Sequence, residues 1–345
     1  MKPILLDMNA EEISAIMKEG GQPSYRAGQI FSALHLGKEF SEISNIPKAL
    51  IAALEDKYTA QPVKIEKEFP SSDGAKKYLF RLEDGVLIEG VLMRYKYGNT
   101  LCVSTQAGCR MGCAFCASGI DGLARNLTPG EILGQIIAVN RAEGGVAGDR
   151  AVTNVVLMGS GEPLDNFENT LKFLRLAGER GGICVGQRNI SLSTSGIAPK
   201  MRELADAGFS VTLTVSLHAP DDTVRERLMP VNKAYPIKEV ISAARYYFEK
   251  TGRRVIFEYA LIGGVNDAKE QAAALAAVTS GFPTHINIIK LNYVKEKKLR
   301  GASKESVRVF FDELKRRGAS VTLRRTLGGD VDGACGQLRR SYLDE

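Results

Sequence analysis

The sequence predicts an α/β fold of repeated βα units, arranged as a parallel sheet or a barrel, and three observations support that prediction. From Leu101 onward, strand-like and helix-like segments alternate along the chain, as they do in βα-repeat folds with right-handed crossovers. The strand-like segments are nearly continuous apolar runs, which is typical of parallel strands covered by helices. Three of them end in the polar or glycine-rich motifs GSGEP, STSG and SLH. Functional sites in such folds gather at the carboxyl ends of the strands.

Two smaller units are expected before the barrel. Residues 1–60 show apolar residues at helical spacing in AEEISAIMKEG, GQIFSALHLG and IPKALIAALEDKY, which predicts a small helical domain. Residues 61–100 contain KKYLFRL and VLIEGVLMRY, separated by the turn residues EDG, which predicts a connecting β-hairpin. Residues 101–345 then form the barrel domain.

The barrel region supplies its elements in alternating order. Its predicted strands are LCVST, NVVLMGS, NISLSTSG, VTLTVSLHA, RVIFEYALIGG, HINIIKLN and SVTLRRT. Apolar residues at helical spacing predict helices between them, among them PGEILGQIIAVNRAE, DNFENTLKFLRLAG, APKMRELADAG, PIKEVISAARYYFEK and SKESVRVFFDELKRRG. The carboxyl ends of these strands are therefore expected to meet at one edge of the sheet.

The composition is ordinary for a globular protein. A chain of 345 residues with 44% hydrophobic and 25% charged residues can bury a large core. The N-terminus turns acidic and polar at once, and no stretch approaches the ~20 apolar residues of a membrane span. Six cysteines, three of them in one cluster, favour a reducing compartment over a disulfide framework. We therefore expect a cytoplasmic protein that has no membrane partner.

Basic residues are concentrated toward the C-terminus of a chain whose net charge is +6. A clustered basic surface fits a polyanionic partner, RNA above all, although a solvated helix face carries the same pattern. The residues concerned are Lys290, Lys295, Lys297, Lys298, Arg300, Lys315, Arg316, Arg317, Arg324, Arg325, Arg339 and Arg340.

The most informative motif is the cysteine cluster of the run AGCRMGCAFCASG. Cys109, Cys113 and Cys116 follow a C-x3-C-x2-C spacing, and no fourth ligand lies beside them. Structural zinc sites and iron–sulfur clusters normally take four protein ligands. Three thiolates would leave one iron of a 4Fe-4S cluster open to an outside ligand. A zinc knuckle and a chance trio of buried thiols are the competing interpretations.

This spacing resembles the motif of the radical S-adenosylmethionine (SAM) enzymes, and the resemblance implies that the βα units form a partial (β/α) barrel of the radical SAM type. The resemblance implies that SAM binds the open iron and that strand-end residues bind the rest of SAM. A carboxylate is a suitable partner for the SAM ammonium, and hydroxyls suit its ribose and carboxylate. Glu162 could also be an ordinary loop acid, and His218 an ordinary core histidine. The candidates are Gly161, Glu162, Ser193, Ser216, Leu217, His218 and Asn292.

A second pair of cysteines narrows the resemblance. Cys335 lies in the glycine-flanked run GDVDGACGQL, and Cys102 precedes the cluster motif. Together with TLCVSTQAGC, CAFC, NLTPGEILGQI, NVVLMGSGEP, SLSTSG, VSLHAP, RLMPVN, GVND and ACGQL, they resemble the radical SAM RNA adenine methyltransferases of the RlmN and Cfr type. The resemblance covers most of the chain. Cys184 has no place in it and is interpreted as a small buried residue.

The resemblance implies a mechanism in which the chain carries the methyl carbon. The Cys335 thiolate takes a methyl group from one SAM, and a 5′-deoxyadenosyl radical from a second SAM activates that methyl for addition to the electron-poor adenine carbon. Cys102 then releases the adduct by forming a disulfide with Cys335. Glu89, among apolar neighbours, is the candidate proton acceptor. Met158 matches a family methionine near the reactive cysteine, although a core methionine would fit the same position.

The resemblance also implies the partners. The expected substrates are an adenine of 23S rRNA at the peptidyl transferase centre and the adenine 3′ to the anticodon of tRNA, each turned out of its stack. Flavodoxin or ferredoxin is the expected electron donor, and we expect a monomer. Methylation at carbon 2 is favoured over carbon 8, the site of the sister, antibiotic-resistance activity. Less favoured hypotheses are a metal-bound RNA-binding protein without catalysis and a radical SAM enzyme that acts on a small molecule.

Overall fold

The computed structural model describes residues 2–339, so Arg340 of the basic group lies outside the described residues. Within that range the chain forms the helices α1 (Ala10–Glu19), α2 (Tyr25–His35), α3 (Lys48–Lys57), α4 (Pro129–Ala142), α5 (Phe167–Gly178), α6 (Ala198–Asp206), α7 (Asp222–Leu228), α8 (Ile237–Thr251), α9 (Lys269–Val278) and α10 (Lys304–Arg316). The helices predicted from apolar spacing are all present, and α7 and α9 are additional.

The strands are β1 (Val63–Pro70), β2 (Lys76–Leu82), β3 (Leu87–Tyr95), β4 (Gly98–Cys102), β5 (Gln106–Gly108), β6 (Leu123–Asn126), β7 (Asn154–Leu157), β8 (Ile190–Thr194), β9 (Thr212–Ser216), β10 (Val255–Leu261), β11 (Thr284–Lys290) and β12 (Val321–Leu323). Ten of them form one sheet in the order β1-β2-β3-β4-β7-β8-β9-β10-β11-β12, while β5 and β6 pair separately. Strands β4 to β12 of this sheet run parallel, which confirms the predicted α/β class.

The segment expected to form a connecting hairpin is part of the same sheet. Strands β1, β2 and β3 pair antiparallel with one another, and β3 pairs antiparallel with β4, the first parallel strand. The barrel strands are therefore extended by a three-stranded antiparallel edge. The outermost strand, β1, is mostly exposed and rich in Lys and Glu, a composition that discourages edge-to-edge pairing with other chains.

Helix α4 connects the N-terminal region to the sheet. Its start is fixed by a capping box, in which the Thr128 side chain accepts from the Glu131 N–H and the Glu131 carboxylate accepts from the Thr128 N–H. Gly130 lets the helix approach the N-terminal chain closely, because a Cβ there would lie 2.8 Å from the Leu6 carbonyl carbon. The Gly130 N–H donates to Asp7 Oδ1 at 2.6 Å. The N-terminal helices thus share one apolar core with the sheet-covering helices.

His35 lies in that shared core at the end of α2. Its ring packs against Phe31, with ring centroids 4.1 Å apart, and its Nδ1 accepts from the Ile183 N–H at 3.1 Å. Burial lowers the pKa of His35 to about 4, because a charged imidazolium is poorly solvated there. The ring is therefore neutral at physiological pH.

We expect the stability of the protein to depend on His35 protonation. Between the ordinary pKa of 6.5 and the folded pKa of about 4, only the unfolded chain takes up this proton, so stability falls as pH falls through that window. The free energy of unfolding should fall by about 1.4 kcal/mol per pH unit for this group. His35→Asn keeps an acceptor oxygen near the Nδ1 position and should give a shallower slope in urea unfolding between pH 5 and 6.5. Equal slopes in the two proteins would contradict this account.

Candidate active site

The cysteine motif lies on a loop that follows the strand β4 and the short strand β5. Gly108 ends β5 with a φ of +84°, and a Cβ at this position would lie 2.0 Å from the Gly122 carbonyl oxygen. The same oxygen accepts from the Cys109 N–H at 3.0 Å. Only glycine fits here. The loop is therefore closed at its base, and its three cysteines face the carboxyl edge of the sheet.

Cys109, Cys113 and Cys116 all line one cavity of about 920 Å³. All three are half-buried and free of disulfide bonds. Burial raises the pKa of Cys109 to about 12 and raises that of Cys113 as well. A bound metal favours the thiolate form instead, because its positive charge is close to the sulfur.

The site fits both a cluster and SAM. Among residues 2–339, no three His, Cys, Asp or Glu side chains lie close enough together to bind one metal ion. A 4Fe-4S cluster does not require this, because each of its thiolate ligands binds a different iron. Ser195 Oγ, a buried lining atom, lies near enough to the Glu162 carboxylate to help lower its pKa, but it makes no hydrogen bond of good geometry with the described residues. A polar ligand in the cavity would satisfy it.

Glu162 lies in the loop that follows the carboxyl end of β7 and lines this cavity, as Gly161 does. One Glu162 carboxylate oxygen accepts from the Ser195 N–H at 2.6 Å and the other from the Leu164 N–H at 3.0 Å. Burial raises the pKa of Glu162, and the two backbone N–H donors act in the opposite direction. An ammonium group in the cavity would stabilise the charged carboxylate further. The predicted position at a strand end is confirmed, while its role toward SAM stays a prediction.

The next two strands bring further predicted residues to the cavity. Ser193 on β8 and Ser216 at the end of β9 both line it. Leu217 does not, because its side chain is in the apolar core and its N–H donates to the Glu258 carbonyl at 3.1 Å. Any contact of Leu217 with SAM therefore has to come from its backbone. Asn292, beyond β11, lines the cavity as expected.

His218 lines the cavity in a defined tautomer. Its Nδ1 accepts from the Ala260 N–H at 2.9 Å, which leaves the proton on Nε2. Burial, assisted by the positive charge of Arg225, lowers the pKa of His218 to about 3. Its ring meets the Phe115 ring edge-on at 4.7 Å. The residue is thus neither a metal ligand nor an ordinary core histidine, but a neutral donor at the cavity wall.

Arg225, which the sequence interpretation missed, holds the strand ends together. Its side chain is fully buried. Nη2 donates to the carbonyl oxygens of Ser195 and Ser216 at 2.6 and 3.3 Å. Nε donates to the Leu217 carbonyl oxygen at 3.2 Å, and Nη1 donates to Asn232 Oδ1 at 2.8 Å. One planar guanidinium therefore fixes two neighbouring loops that line the cavity.

A second cavity, of about 650 Å³, adjoins the first. Cys102 lines only this smaller cavity, whereas Cys335, Met158 and Asn292 line both. Burial raises the pKa of Cys102 to about 12, and the nearby Cys335 acts in the same direction. Cys335 is exposed as a residue, but its thiol is enclosed enough for burial to raise the thiol pKa. Both thiols are free. The predicted disulfide between them is thus not formed in this structure.

The segment that carries Cys335 is held by its backbone. Asn292 Nδ2 donates to the Cys335 carbonyl oxygen at 2.9 Å, and the Ala117 N–H donates to the Gly336 carbonyl oxygen at 2.7 Å. Ala117 directly follows the last cysteine of the cluster loop. The Cys335 thiol is therefore placed where the two cavities meet, beside the cluster loop.

Arg324 lies in the wall of the smaller cavity, and its role was also missed from the sequence. Its Nη1 donates to Glu258 Oε1 at 2.7 Å, and Met158 Sδ lies 3.6 Å from the same nitrogen. The pKa of the Cys335 thiol is raised by burial, and the positive charge of Arg324 acts against that rise. Arg324 thus favours the thiolate form of Cys335 over what burial alone would give.

Glu89 lines neither cavity, although it shares a strand face with Val91, which does. The Glu89 carboxylate is buried, with Lys77 Nζ 2.7 Å from Oε1 and the Arg339 N–H donating to Oε2 at 2.7 Å. Burial raises the pKa of Glu89, and Lys77 acts in the opposite direction. The raised pKa agrees with the sequence-based expectation, but the ion pair with Lys77 was not foreseen.

Comparisons with known proteins agree with this geometry. The family model described as the radical SAM superfamily matches residues 103–276. The protein named probable dual-specificity RNA methyltransferase RlmN from Clostridium botulinum (strain Alaska E43 / Type E3) is 49% identical over 341 residues, covering 98% of this chain and 97% of its own. The protein of the same name from Clostridium perfringens (strain 13 / Type A) is 48% identical, with coverages of 98% and 97%.

A solved structure extends the similarity to three dimensions. The crystal structure of a radical SAM methyltransferase from Sphaerobacter thermophilus superposes with a TM-score of 0.94 at 42% identity, over 98% of this chain and 99% of that one. The fold and the three-cysteine cavity thus define a radical SAM enzyme, which uses a 4Fe-4S cluster and SAM. Within that superfamily, the chain belongs to the RlmN family of dual-specificity RNA methyltransferases.

We expect the loss of Arg225 to weaken both the fold and SAM binding. Arg225→Met leaves buried carbonyl oxygens without a donor, and should lower the free energy of unfolding by about 3 kcal/mol. Because two cavity-lining loops lose their shared anchor, the Kd for SAM should rise at least tenfold in calorimetric titration. Arg227→Met, an exposed arginine on the same helix, is the matched control and should change neither value. A stable Arg225→Met protein with normal SAM affinity would show that the guanidinium is dispensable.

Proposed function

We propose that this protein methylates carbon 2 of adenine in 23S rRNA and in tRNA. The observation that carries the proposal is the position of Cys335, which lines both the cluster cavity and the cavity of Cys102. A carbon bound to this sulfur can be activated from the cavity of the cluster cysteines and released from the cavity of Cys102. The relatives match nearly the full chain and are named dual-specificity RNA methyltransferases, a name that supports two RNA substrates.

The cofactors are held at the carboxyl edge of the sheet. Cys109, Cys113 and Cys116 hold the 4Fe-4S cluster in this proposal, and the strand-end residues hold SAM. When bound, these groups supply the methyl carbon and the radical that activates it, and two SAM molecules serve each turnover. The chain supplies a dry, neutral donor in His218 and a buried carboxylate in Glu162 for the polar parts of SAM.

The reacting side chains have separate tasks. Cys335 carries the methyl carbon on its sulfur, and Arg324 beside it favours the nucleophilic thiolate. Glu89 accepts the proton from the adduct carbon, for which its raised pKa is suited. The Cys102 thiolate attacks the Cys335 sulfur, so that a sulfur–sulfur bond forms as the carbon–sulfur bond to the product breaks. The released carbon takes up a proton to complete the methyl group, and the one electron that entered with the radical would return to the cluster. Reduction of that disulfide restores both thiols.

Further parts of the chain are assigned by the same proposal. Residues 1–60 form an accessory RNA-binding unit, residues 61–100 connect it, and residues 101–345 form the catalytic unit. Flavodoxin or ferredoxin delivers electrons to a monomer in the cytoplasm, where reducing conditions keep the cysteines as thiols. No helix within residues 2–339 is long and apolar enough to cross a membrane.

The proposal is tested with anaerobically reconstituted protein, SAM, a reductant and unmodified rRNA and tRNA. Mass spectrometry of the digested RNA should locate a new methyl group at carbon 2 of adenine in the wild type. Cys335→Ala should give no product, because the carbon has no sulfur to carry it. Cys102→Ala should accumulate protein cross-linked to RNA, visible as a shifted band that nuclease trims. Cys184 is exposed, so the sequence-based interpretation of it as a buried residue was wrong, and it lies outside both cavities. Cys184→Ser is therefore the matched control and should react like the wild type.

Three outcomes would overturn parts of this proposal. A methyl group found at carbon 8 would assign the chain the sister activity. Normal turnover by Cys102→Ala would remove the releasing role of that thiol. A colourless protein that binds zinc after reconstitution, with no product, would favour a binding protein without catalysis.

A further inference from the structure

Tyr95 and Tyr97 form an exposed aromatic stack at the turn between β3 and β4. Their rings are parallel within 6° with centroids 5.0 Å apart, which is a favourable stacking geometry. The Tyr97 side of the stack is open, since 72% of that residue is exposed. An exposed tyrosine whose ring lies flat on a second ring offers one free aromatic face to a partner.

The stack rests on a rigid base. Tyr95 packs against the apolar cluster that contains Met93, Cys102 and Leu327, and these three residues line the smaller cavity. The turn itself is fixed at Gly98, where φ is +133° and a Cβ would lie 2.2 Å from Thr153 Oγ1. Tyr97 therefore stands on the same structural unit as the Cys102 thiol, without the freedom of a long loop.

The charges around the stack are those that bind a phosphate backbone. Lys96 lies in the turn and is exposed, and Arg325 is exposed in the wall of the smaller cavity. Tyr95 is close enough to Arg324, Arg325 and Cys335 for their charges to affect its pKa, which burial raises. An open aromatic face with cations around it is the arrangement by which proteins hold single-stranded nucleic acid.

We propose that the Tyr97 ring stacks on a nucleobase that flanks the target adenine in the RNA substrate. This inference rests on the proposed function. The contact with Tyr97 holds the RNA strand while the target adenine enters the smaller cavity. Turning a base out of its stack leaves its neighbour without a stacking partner. Tyr97 supplies a replacement surface at the turn between β3 and β4, the strands whose residues Met93 and Cys102 line the cavity, and stacking requires no particular base sequence. Such tolerance suits an enzyme that accepts two different RNAs.

The test uses full-length reconstituted protein and an RNA hairpin that the wild type methylates. 2-Aminopurine is placed in turn on each side of the target adenine, and its fluorescence reports stacking on an aromatic ring. In the wild type, one of the two positions should be quenched on binding. Tyr97→Phe keeps the ring and should retain the quenching, whereas Tyr97→Leu keeps apolar bulk without a ring and should lose it. Tyr97→Leu and Tyr97→Ala should raise the Kd for the hairpin about tenfold.

The outcomes separate this inference from the proposed function. A wild type that methylates no RNA overturns the proposed function, whatever the fluorescence shows. A wild type that methylates normally, with unchanged quenching and Kd in Tyr97→Ala, overturns the stacking inference alone. Quenching lost in Tyr97→Phe or kept in Tyr97→Leu also overturns it, because the ring would then not be the cause. An unchanged Kd for SAM in each variant, measured by calorimetry, establishes that the cofactor cavity is intact.

Discussion

The site depends on the hydrogen bonds that hold the segment around Cys335 against the cluster loop and Asn292. Asn292 Nδ2 donates to the Cys335 carbonyl oxygen and the Ala117 N–H donates to the Gly336 carbonyl oxygen, while Ser118 Oγ donates to the Leu338 carbonyl oxygen. The cluster loop and the Cys335 segment are thereby one unit, although more than two hundred residues separate them in sequence. Without these bonds the Cys335 sulfur would have no fixed place between the two cavities.

The same principle of distant backbone anchoring recurs around the cavity. Arg225 donates hydrogen bonds to the loops after β8 and β9, and the Arg339 N–H donates to the carboxylate of Glu89 on β3. In each case a buried polar group, which water does not reach, forms its hydrogen bond with a residue of another element. The site is therefore preorganised by bonds that cross the molecule, which is what positioned chemistry at a sulfur requires.

Much of this fold could be predicted, because buried parallel strands such as NVVLMGS give continuous apolar runs and strand ends such as GEP and SLH are polar. The edge strand β1 gives a weak signal since charged residues dominate it, and β5 is only three residues long. Within the site, the pair of Glu89 with Lys77 depends on the register of β2 and β3. Likewise, Arg324 meets Glu258 only through the order of the strands. No local pattern encodes such pairs.

The region matched by the superfamily model, residues 103–276, ends before Asn292 and begins after Cys102. The three cysteines of the cluster motif and most of the strand-end residues lie within this region, while Glu89, Cys102, Tyr97 and Cys335 lie on its two flanks. Cys102 from one flank and Cys335 from the other line the same smaller cavity. A lineage with this architecture can acquire a new substrate by exchanging its two ends, and its radical-generating core need not change.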